Sequence, residues 1–206
     1  MTEDSLFITF EGPDGSGKST QIERLKKWFL DKGRDVVCTR EPGGTTASEE
    51  IRKVVLNPDF PINAETETLL YLAARAEHVD KIIAPALVKG SVVLCDRFSD
   101  STFVYQGFSR GIPLEKLQGM NDFATKGIKP NLTILLDGPI ELLEARRKDR
   151  GVEDRFELEG LDFQAKVREG FLTLAHNEPE RIKVVYALQD IDAVTAEIIK
   201  HVENIK

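Results

Sequence analysis

Five short apolar runs constrain the fold more strongly than any other feature of this chain. They are LFITFE at 6–11, DVVCT at 35–39, SVVLCD at 91–96, LTILLD at 132–137 and IKVVYAL at 182–188. Each run is continuously apolar rather than alternating, which is typical of strands that are covered on both faces. Longer stretches with helical spacing lie between them. The alternation predicts an α/β fold, with a five-stranded parallel sheet flanked by helices and joined by right-handed crossovers.

The stretches between the runs carry helix signals. The first has Ile22, Leu25 and Phe29 at helical spacing and ends at Gly33. The next is predicted as one long helix from the N-cap Asn63 to Gly90. Further helices are predicted at 112–127, 139–151, 162–176 and 191–204.

Length and charge narrow the class of protein. A chain of 206 residues suits one domain, so we predict a single domain over 1–206. The formal net charge is −7, from 28 basic and 35 acidic side chains, which disfavours a nucleic-acid or anionic-membrane binder. A local basic pocket for a small anion stays compatible with this balance.

The N-terminal sequence and the two cysteines indicate the cellular compartment that we expect for the protein. The N-terminus has no basic segment before an apolar one, and no apolar run reaches the length of a membrane span, so neither a signal peptide nor a span is expected. Cys38 and Cys95 are predicted to be buried free thiols, which fits a cytoplasmic protein. His78, His176 and His201 lack the spacing of metal ligands, and no zinc site is predicted.

A glycine-rich loop follows the first predicted strand and opens the first predicted helix. GPDGSGKS, residues 12–19, matches G-x-x-x-x-G-K-[ST] in the structural context that this motif requires. Its glycines let backbone N–H groups converge on phosphate oxygens, and the helix N-terminus adds partial positive charge. We predict that Lys18 reaches the β- and γ-phosphates of a nucleoside triphosphate and that Ser19 binds Mg²⁺. The loop residues expected to bind ATP and Mg²⁺ are Gly12, Pro13, Asp14, Gly15, Ser16, Gly17, Lys18, Ser19 and Thr20.

Arginines near predicted strand ends indicate a second anion beside the first. Asp96 and Arg97 follow the third strand, where ligands of such sheets sit. Asp96 there can hold the Mg²⁺ shell or orient Arg97. Arg40 follows the second strand and Arg75 lies on the adjacent helix, and guanidinium groups bind phosphate in a bidentate manner. A GTPase would need an N-K-x-D motif, which the sequence lacks.

One segment departs from the apolar pattern. In RRKDRGVEDRFELEG, residues 146–160, charge and glycine replace apolar residues. The segment is either a solvated helix end with its loop or an arginine-rich lid.

Several motifs together resemble the bacterial type of thymidylate kinase. GPDGSGKST, TREPGGT, LLYLAARAEH, DRFSDSTFVYQG and DRFE occur in the order and spacing of that family, from about residue 6 to 175. The resemblance implies the P-loop nucleoside monophosphate kinase fold with a lid at about 146–160. It also implies ATP-dependent phosphorylation of dTMP to dTDP with Mg²⁺, within dTTP synthesis, and a homodimer.

The resemblance also implies roles for individual residues in binding dTMP. Arg40 and Arg97 would bind its phosphate, and Asp14 would contact the sugar 3′-hydroxyl or the metal region. Tyr71 would stack on thymine, and Arg75 would bond to the base edge. Base recognition would be completed by Ser101, Thr102 and Gln106, while Tyr105 would crowd the ribose 2′ position and favour deoxyribose.

The resemblance also implies which residues take part in phosphoryl transfer. Some family members carry an arginine directly after the loop aspartate, where this chain has Gly15, so the missing charge is expected from the lid. Arg150 is assigned to the migrating phosphoryl group, together with Lys18, Arg97 and Asp14 as the catalytic set. Arg146 would stack on adenine, and Asp154 and Arg155 would brace the closed lid. Ser19 and Asp96 would hold Mg²⁺, directly or through water.

Two other functions stay open from the sequence. A deoxynucleoside kinase, or a kinase for another monophosphate, would share the loop; a nucleoside kinase would need a carboxylate base near the 5′-hydroxyl, and Glu11 beside the loop could be read as one. A nucleotide-dependent switch or binding module would bind ATP with little turnover. The intact Lys18, Asp96 and arginine set favours a monophosphate kinase.

Overall fold

One parallel sheet organises the structure. The computed structural model describes residues 5–148, 155–156 and 159–205, with the side chains of 147 and 148 excepted. The strands are β1 (Leu6–Glu11), β2 (Val36–Arg40), β3 (Val92–Asp96), β4 (Leu132–Asp137) and β5 (Ile182–Tyr186), in the order β2-β3-β1-β4-β5. Every pairing is parallel. The predicted five-stranded α/β sheet is confirmed, and its strand bounds agree within two residues.

The register aligns the carboxyl ends of three strands. Asp96 at the end of β3 pairs with Phe10 of β1 on one side and Arg40 of β2 on the other. The loops that leave these strands therefore begin at one level of one sheet edge. In parallel α/β sheets this edge is where ligands bind.

Helices flank the sheet. They are α1 (Lys18–Asp31), α2 (Thr46–Leu56), α3 (Ala64–His78), α4 (Ala84–Val88), α5 (Ser99–Thr102), α6 (Leu114–Thr125), α7 (Ile140–Lys148), α8 (Leu161–Asn177) and α9 (Ile191–Glu203). Two π-helical segments, 79–83 and 103–109, continue α3 into α4 and extend α5. The predicted helix end at Gly151 lies outside the described residues.

The long helix predicted from Asn63 to Gly90 is continuous but not uniform. Its start is as predicted, because the Asn63 side chain accepts a hydrogen bond from the Thr66 N–H at 2.8 Å. The π-helical turn at 79–83 ends two residues before Pro85, which lacks the N–H that an α-helical ladder needs. The helix ends as predicted, with Gly90 in the left-handed region at φ +81°.

Two helical stretches have no counterpart among the predicted elements. Helix α2 buries only Ser48 and Val55, so its apolar stripe is too narrow to show in the sequence. The stretch from α5 through 109 is rich in Ser, Thr, aromatic and β-branched residues with weak helix propensity. It packs against α8, where a Cβ on Gly170 would lie 3.1 Å from Val104 and 3.2 Å from Phe108. Tertiary packing therefore stabilises a helix that local propensity does not favour.

Apolar residues fill both faces of the sheet. In β1, Ile8 and Phe10 pack on the side of α1 and α9, while Phe7 packs on the opposite side against residues of 79–87. Both cysteines are free thiols; Cys95 is buried as predicted, whereas Cys38 is only half-buried. Among the residues that the structure describes, no helix is long and apolar enough to cross a membrane.

A buried carboxylate joins β1 to α5. Glu11, the last residue of β1, accepts hydrogen bonds from the Phe98 N–H at 2.8 Å, the Ser101 N–H at 3.3 Å and the Ser101 hydroxyl at 2.6 Å. Burial and the nearby charge of Asp100 raise the pKa of Glu11 from 4.5 to about 7, although Arg97 and these hydrogen bonds oppose the shift. Both oxygens of Glu11 are therefore occupied by hydrogen bonds to the turn after β3. The interpretation of Glu11 as a catalytic base loses its support.

We expect Glu11→Gln to remove part of the pH dependence of stability. Between pH 4.5 and 7 the folded chain keeps a proton on Glu11 that the unfolded chain has released, so the wild-type free energy of unfolding falls as pH rises. The full shift corresponds to roughly 3 kcal/mol above this window. Glutamine can accept both backbone N–H groups and donate to the Ser101 hydroxyl, so the contacts are retained. Urea denaturation at stepped pH measures the difference, and parallel stability curves for the two proteins would contradict the assignment.

Candidate functional site

The loop between β1 and α1 has the geometry of a phosphate cradle. Gly12, Gly15 and Gly17 have φ angles of +129°, +82° and +91°, a region that side chains disfavour. A Cβ on Gly12 would lie 2.3 Å from the Leu136 carbonyl oxygen, so only glycine lets the loop cross β4 this closely. Helix α1 begins directly after Gly17. The strand, loop and helix context predicted for the motif is present.

Lys18 lies across this loop. Its buried ammonium donates to the carbonyl oxygens of Gly12 at 3.1 Å and Pro13 at 3.2 Å, and to Asp14 at 3.3 Å. An ammonium held inside the loop can bind phosphate oxygens that the surrounding N–H groups attract. Ser19 and Thr20, which follow it, are exposed at the start of α1.

Asp14 connects the loop to Arg97. The Arg97 guanidinium donates to Asp14 Oδ1 at 2.8 Å, and this is the same oxygen that contacts Lys18. Burial by itself would raise the pKa of Asp14, but the positive charges of Arg97 and Lys18 hold it well below its ordinary value. Asp14 therefore stays ionised at neutral pH and holds two cations together at the sheet edge.

Arg97 has a strained backbone. Its φ of +66° lies in the left-handed region, which non-glycine residues occupy rarely and at a cost. Its N–H donates to the Phe10 carbonyl oxygen at 2.9 Å, which extends the β1–β3 ladder by one residue. Its guanidinium lies 5.4 Å from the centroid of the Tyr105 ring. The strain thus turns the chain out of β3 and directs the Arg97 side chain towards the loop.

A cavity of about 250 Å³ joins the loop to the predicted acceptor residues. Its lining includes every residue predicted to bind dTMP: Asp14, Arg40, Tyr71, Arg75, Arg97, Ser101, Thr102, Tyr105 and Gln106. Asp96 and four loop residues, Gly15, Gly17, Lys18 and Ser19, line it as well. The other loop residues predicted to bind ATP, Gly12, Pro13, Ser16 and Thr20, are not part of its lining.

Buried polar atoms without hydrogen-bond partners mark where ligands fit. In the described part of the chain, these include Asp96 Oδ1, Ser16 Oγ and Thr102 Oγ1. A buried carboxylate oxygen is costly to leave unpaired, and Mg²⁺ prefers such hard oxygen ligands. The site thus fits the predicted metal at Asp96. Thr102 lines the cavity, and its buried hydroxyl has no hydrogen-bond partner in the described part of the chain.

Arg75 lies at the floor of the cavity and is already well bonded. It is 1% exposed and donates to Glu41 at 2.7 Å, Asn121 at 2.9 Å and the Phe98 carbonyl oxygen at 3.0 Å. A guanidinium has five N–H donors, so donors remain for a base edge. Glu41 also bonds to the buried His78 at 3.0 Å. Glu41 received no role from the sequence, and its only signal was its place beside Arg40 in the quoted TREPGGT motif.

Arg40 is exposed and pairs with Glu49. Its guanidinium donates to the two Glu49 oxygens at 3.2 and 3.0 Å, while the Gly44 N–H donates to one of them at 3.0 Å. An exposed ion pair of this kind contributes little to stability. Arg40 can therefore exchange Glu49 for a ligand phosphate at small cost.

The arginines of 146–160 are only partly described. Arg146 is exposed, donates to the Ala187 carbonyl oxygen at 3.2 Å and does not line the cavity. Arg155 donates to the buried Glu67 at 2.6 Å. Arg150 and Asp154 lie outside the described residues.

Part of the cavity wall was not predicted from the sequence. Six lining residues were not predicted as site residues: Glu41, Pro42, Arg52, Leu56, Phe98 and Phe156. Phe156 packs edge-on against Tyr105, with ring centroids 5.4 Å apart, and against Tyr71 at 6.2 Å. Its only signal in the sequence was its place in the quoted DRFE motif.

Comparison with known proteins gives one consistent result. The family model described as thymidylate kinase matches residues 10–198. Thymidylate kinase of Exiguobacterium sibiricum is 46% identical over 95% of this chain and 93% of that protein, and the one from Symbiobacterium thermophilum is 47% identical over 98% and 94%. The crystal structure of thymidylate kinase from Ehrlichia chaffeensis superposes with a TM-score of 0.79 at 35% identity, covering 96% of this chain and 98% of that one. The chain therefore belongs to the thymidylate kinase family.

Proposed function

We propose that this protein transfers the terminal phosphoryl group of ATP to dTMP, giving ADP and dTDP within dTTP synthesis. Its membership of the thymidylate kinase family implies this reaction. The observation that carries the proposal is the single cavity that joins the phosphate-binding loop to all nine residues assigned to dTMP. Donor and acceptor phosphates can therefore meet in one cavity.

The donor side consists of the loop and a metal. The backbone N–H groups of Gly12 and of residues 14–20, together with the Lys18 ammonium, bind the ATP phosphates. Ser19 and Asp96 would hold Mg²⁺, and the bound ion would neutralise phosphate charge. The unpaired Asp96 Oδ1 supports this assignment. Arg146, beside the Ala187 carbonyl, is assigned to adenine on the resemblance alone.

The acceptor side consists of cations around dTMP. Arg40 and Arg97 bind its phosphate, and Asp14 keeps Arg97 in place near the loop. Tyr71 stacks on thymine and Arg75 bonds to its edge. The unpaired Thr102 hydroxyl is assigned to the base, whereas the Ser101 hydroxyl already donates to Glu11 at 2.6 Å and can only accept. Tyr105, held between Phe156 and Arg97, limits the room beside the sugar.

The reaction needs charge neutralisation rather than a base. A phosphate monoester oxygen is already an anionic nucleophile near neutral pH, so the barrier lies in bringing two polyanions into line. Lys18 and Arg97, close together at Asp14, offset this repulsion and the charge that develops on the moving group. Arg150 is assigned to the same group, within a lid at 146–160 of a single domain, on the resemblance alone.

Assembly and location complete the proposal. We expect a cytoplasmic homodimer that forms through α3 and α6. These helices pack against each other and expose Leu69 at 58% and Phe123 at 86%. Exposed apolar side chains on adjacent helices are typical of a surface that another protein covers.

Supplying each monophosphate separately with ATP and Mg²⁺ tests the activity. We expect ADP release with dTMP, weak release with ribo-TMP because Tyr105 crowds the 2′ position, and little release with CMP, AMP or GMP. EDTA should abolish the turnover. A preference for another monophosphate would overturn the acceptor assignment, and ATP binding without turnover on any acceptor would instead indicate a binding module.

Arg97→Ala should impair phosphoryl transfer far more than ATP binding. An arginine that stabilises the transferring group contributes roughly 10³-fold or more in rate, while Lys18 and the loop still hold ATP. Turnover is measured alongside ATP affinity by calorimetry. Arg168→Ala is the matched control, because Arg168 also pairs with an aspartate, Asp137 at 2.7 Å, but does not line the cavity. Unchanged turnover with weakened ATP affinity would contradict this role.

Phe123→Asp should convert the dimer to monomer. Sedimentation equilibrium of the wild type should give twice the 23.1 kDa chain mass, and that of the variant should give the mass of a single chain. Leu30→Asp is the control, because Leu30 is 50% exposed on α1, on the other side of the sheet. A monomeric wild type, or an equal effect of both variants, would contradict an α3–α6 interface.

A further inference from the structure

Glu67 is a buried carboxylate that contacts Gln106 of the cavity wall, and the function above does not use it. It lies in the first turn of α3, and only 1% of its side chain is exposed. A buried carboxylate persists only where charge-assisted hydrogen bonds compensate for the lost hydration. The partners of Glu67 are therefore informative.

Both oxygens of Glu67 accept hydrogen bonds. Oε1 accepts from Gln106 Nε2 at 2.8 Å, and Oε2 accepts from Arg155 at 2.6 Å. The Arg110 guanidinium lies 3.5 Å from Oε2. A carboxylate beside two guanidinium groups offers only acceptors. Its chemistry therefore dictates what each neighbour must present to it.

This arrangement determines the orientation of the Gln106 amide. A glutamine amide has a donor end and an acceptor end of nearly equal shape, and only its hydrogen bonds distinguish them. Glu67 accepts and cannot donate, so the NH₂ end of Gln106 must face it. The carbonyl oxygen of Gln106 is then the end left for the cavity that this residue lines.

An acceptor in this place discriminates between pyrimidines. Thymine and uracil carry a donor at N3, whereas cytosine has an acceptor there. A site built to accept the N3 proton leaves two acceptors facing each other when cytosine is present, which strongly disfavours binding. We propose that Glu67 is a positioning residue for pyrimidine specificity, which fixes the Gln106 carbonyl towards the base; this rests on the proposed function.

The second oxygen of Glu67 holds the cavity wall on the same side. Arg155, which it binds, also donates to the Val55 carbonyl at 3.1 Å and, through its backbone N–H, to the Leu56 carbonyl at 3.3 Å. These bonds hold the adjoining Phe156 against Tyr105. Glu67 thus orients the Gln106 amide and also, through Arg155, positions the aromatic side chains that a pyrimidine would contact.

Glu67→Gln tests the orientation. Arg155 only donates, so a glutamine at 67 keeps its carbonyl oxygen on Arg155 and turns its NH₂ to Gln106. The Gln106 amide must then reverse and present its own NH₂ to the base. We expect the ratio of kcat/KM for dTMP to that for dCMP to fall by about tenfold or more, the effect of reversing one hydrogen bond. The ratio of dTMP to dUMP should stay within about twofold, because both bases carry the N3 proton. Ratios measured on one preparation are independent of the folded fraction.

A control variant tests whether the loss of any buried carboxylate would change the substrate specificity. Asp100 is 5% exposed and is bonded to Arg181 at 2.7 Å and Thr133 at 3.0 Å, and it does not line the cavity. Asp100→Asn should therefore leave both ratios within about twofold of the wild type. An equal change of the dCMP ratio in both variants would overturn the proposal.

A double variant supplies the rescue. In Glu67→Gln with Gln106→Glu, the carboxylate at 106 has only acceptors, so the base always meets an acceptor while the net charge of the pair is unchanged. The dTMP preference over dCMP should return to near the wild-type ratio, even if the single variant turns over too slowly to measure. A double variant that treats dTMP and dCMP alike would overturn the proposal. A wild type that itself uses dCMP as well as dTMP would overturn the proposed function instead.

Discussion

The parallel register of three strands is the constraint on which the rest of the site depends. Because Asp96 pairs with both Phe10 and Arg40, the segments that follow β1, β2 and β3 leave the sheet at one level. These segments bring the glycine loop, Glu41 and Arg97 together, although they are far apart in the chain. A slip of one residue in any of these strands would turn the side chains to the other face and separate the cations.

Charge pairing makes a cationic site compatible with an acidic chain. Each described cation assigned to a phosphate meets a carboxylate here: Lys18 and Arg97 share Asp14, and Arg40 pairs with Glu49. The pairs differ in burial. Arg40 is exposed and can be drawn to a phosphate, while the Arg75–Glu41 pair is buried and holds its geometry. The site thus combines cations fixed in place with one that can exchange partners, which suits a substrate that must enter and leave.

Local sequence patterns predicted the structure well, whereas features that depend on tertiary packing were not predicted. Apolar runs, the glycine loop and the Asn63 cap are local patterns, and the five strands, the loop and the start of α3 appear within two residues of their expected places. Helix α2 and the helical stretch after Ser99 were missed because packing, rather than propensity or an apolar stripe, decides their conformation. The acceptor residues could be named only through motifs that resemble a known family, since spacing alone does not show which side chains share a cavity.

What the sequence by itself determined is the class of fold and the triphosphate-binding loop, because both follow from patterns of neighbouring residues. What only the tertiary structure decided is the function of buried carboxylates. Glu41 meets Arg75 across 34 positions and Glu67 meets Gln106 across 39. In the sequence both are ordinary acidic residues of a chain with 35 of them. Burial gives them their roles, because a carboxylate removed from water must be paired and therefore fixes the groups that pair with it.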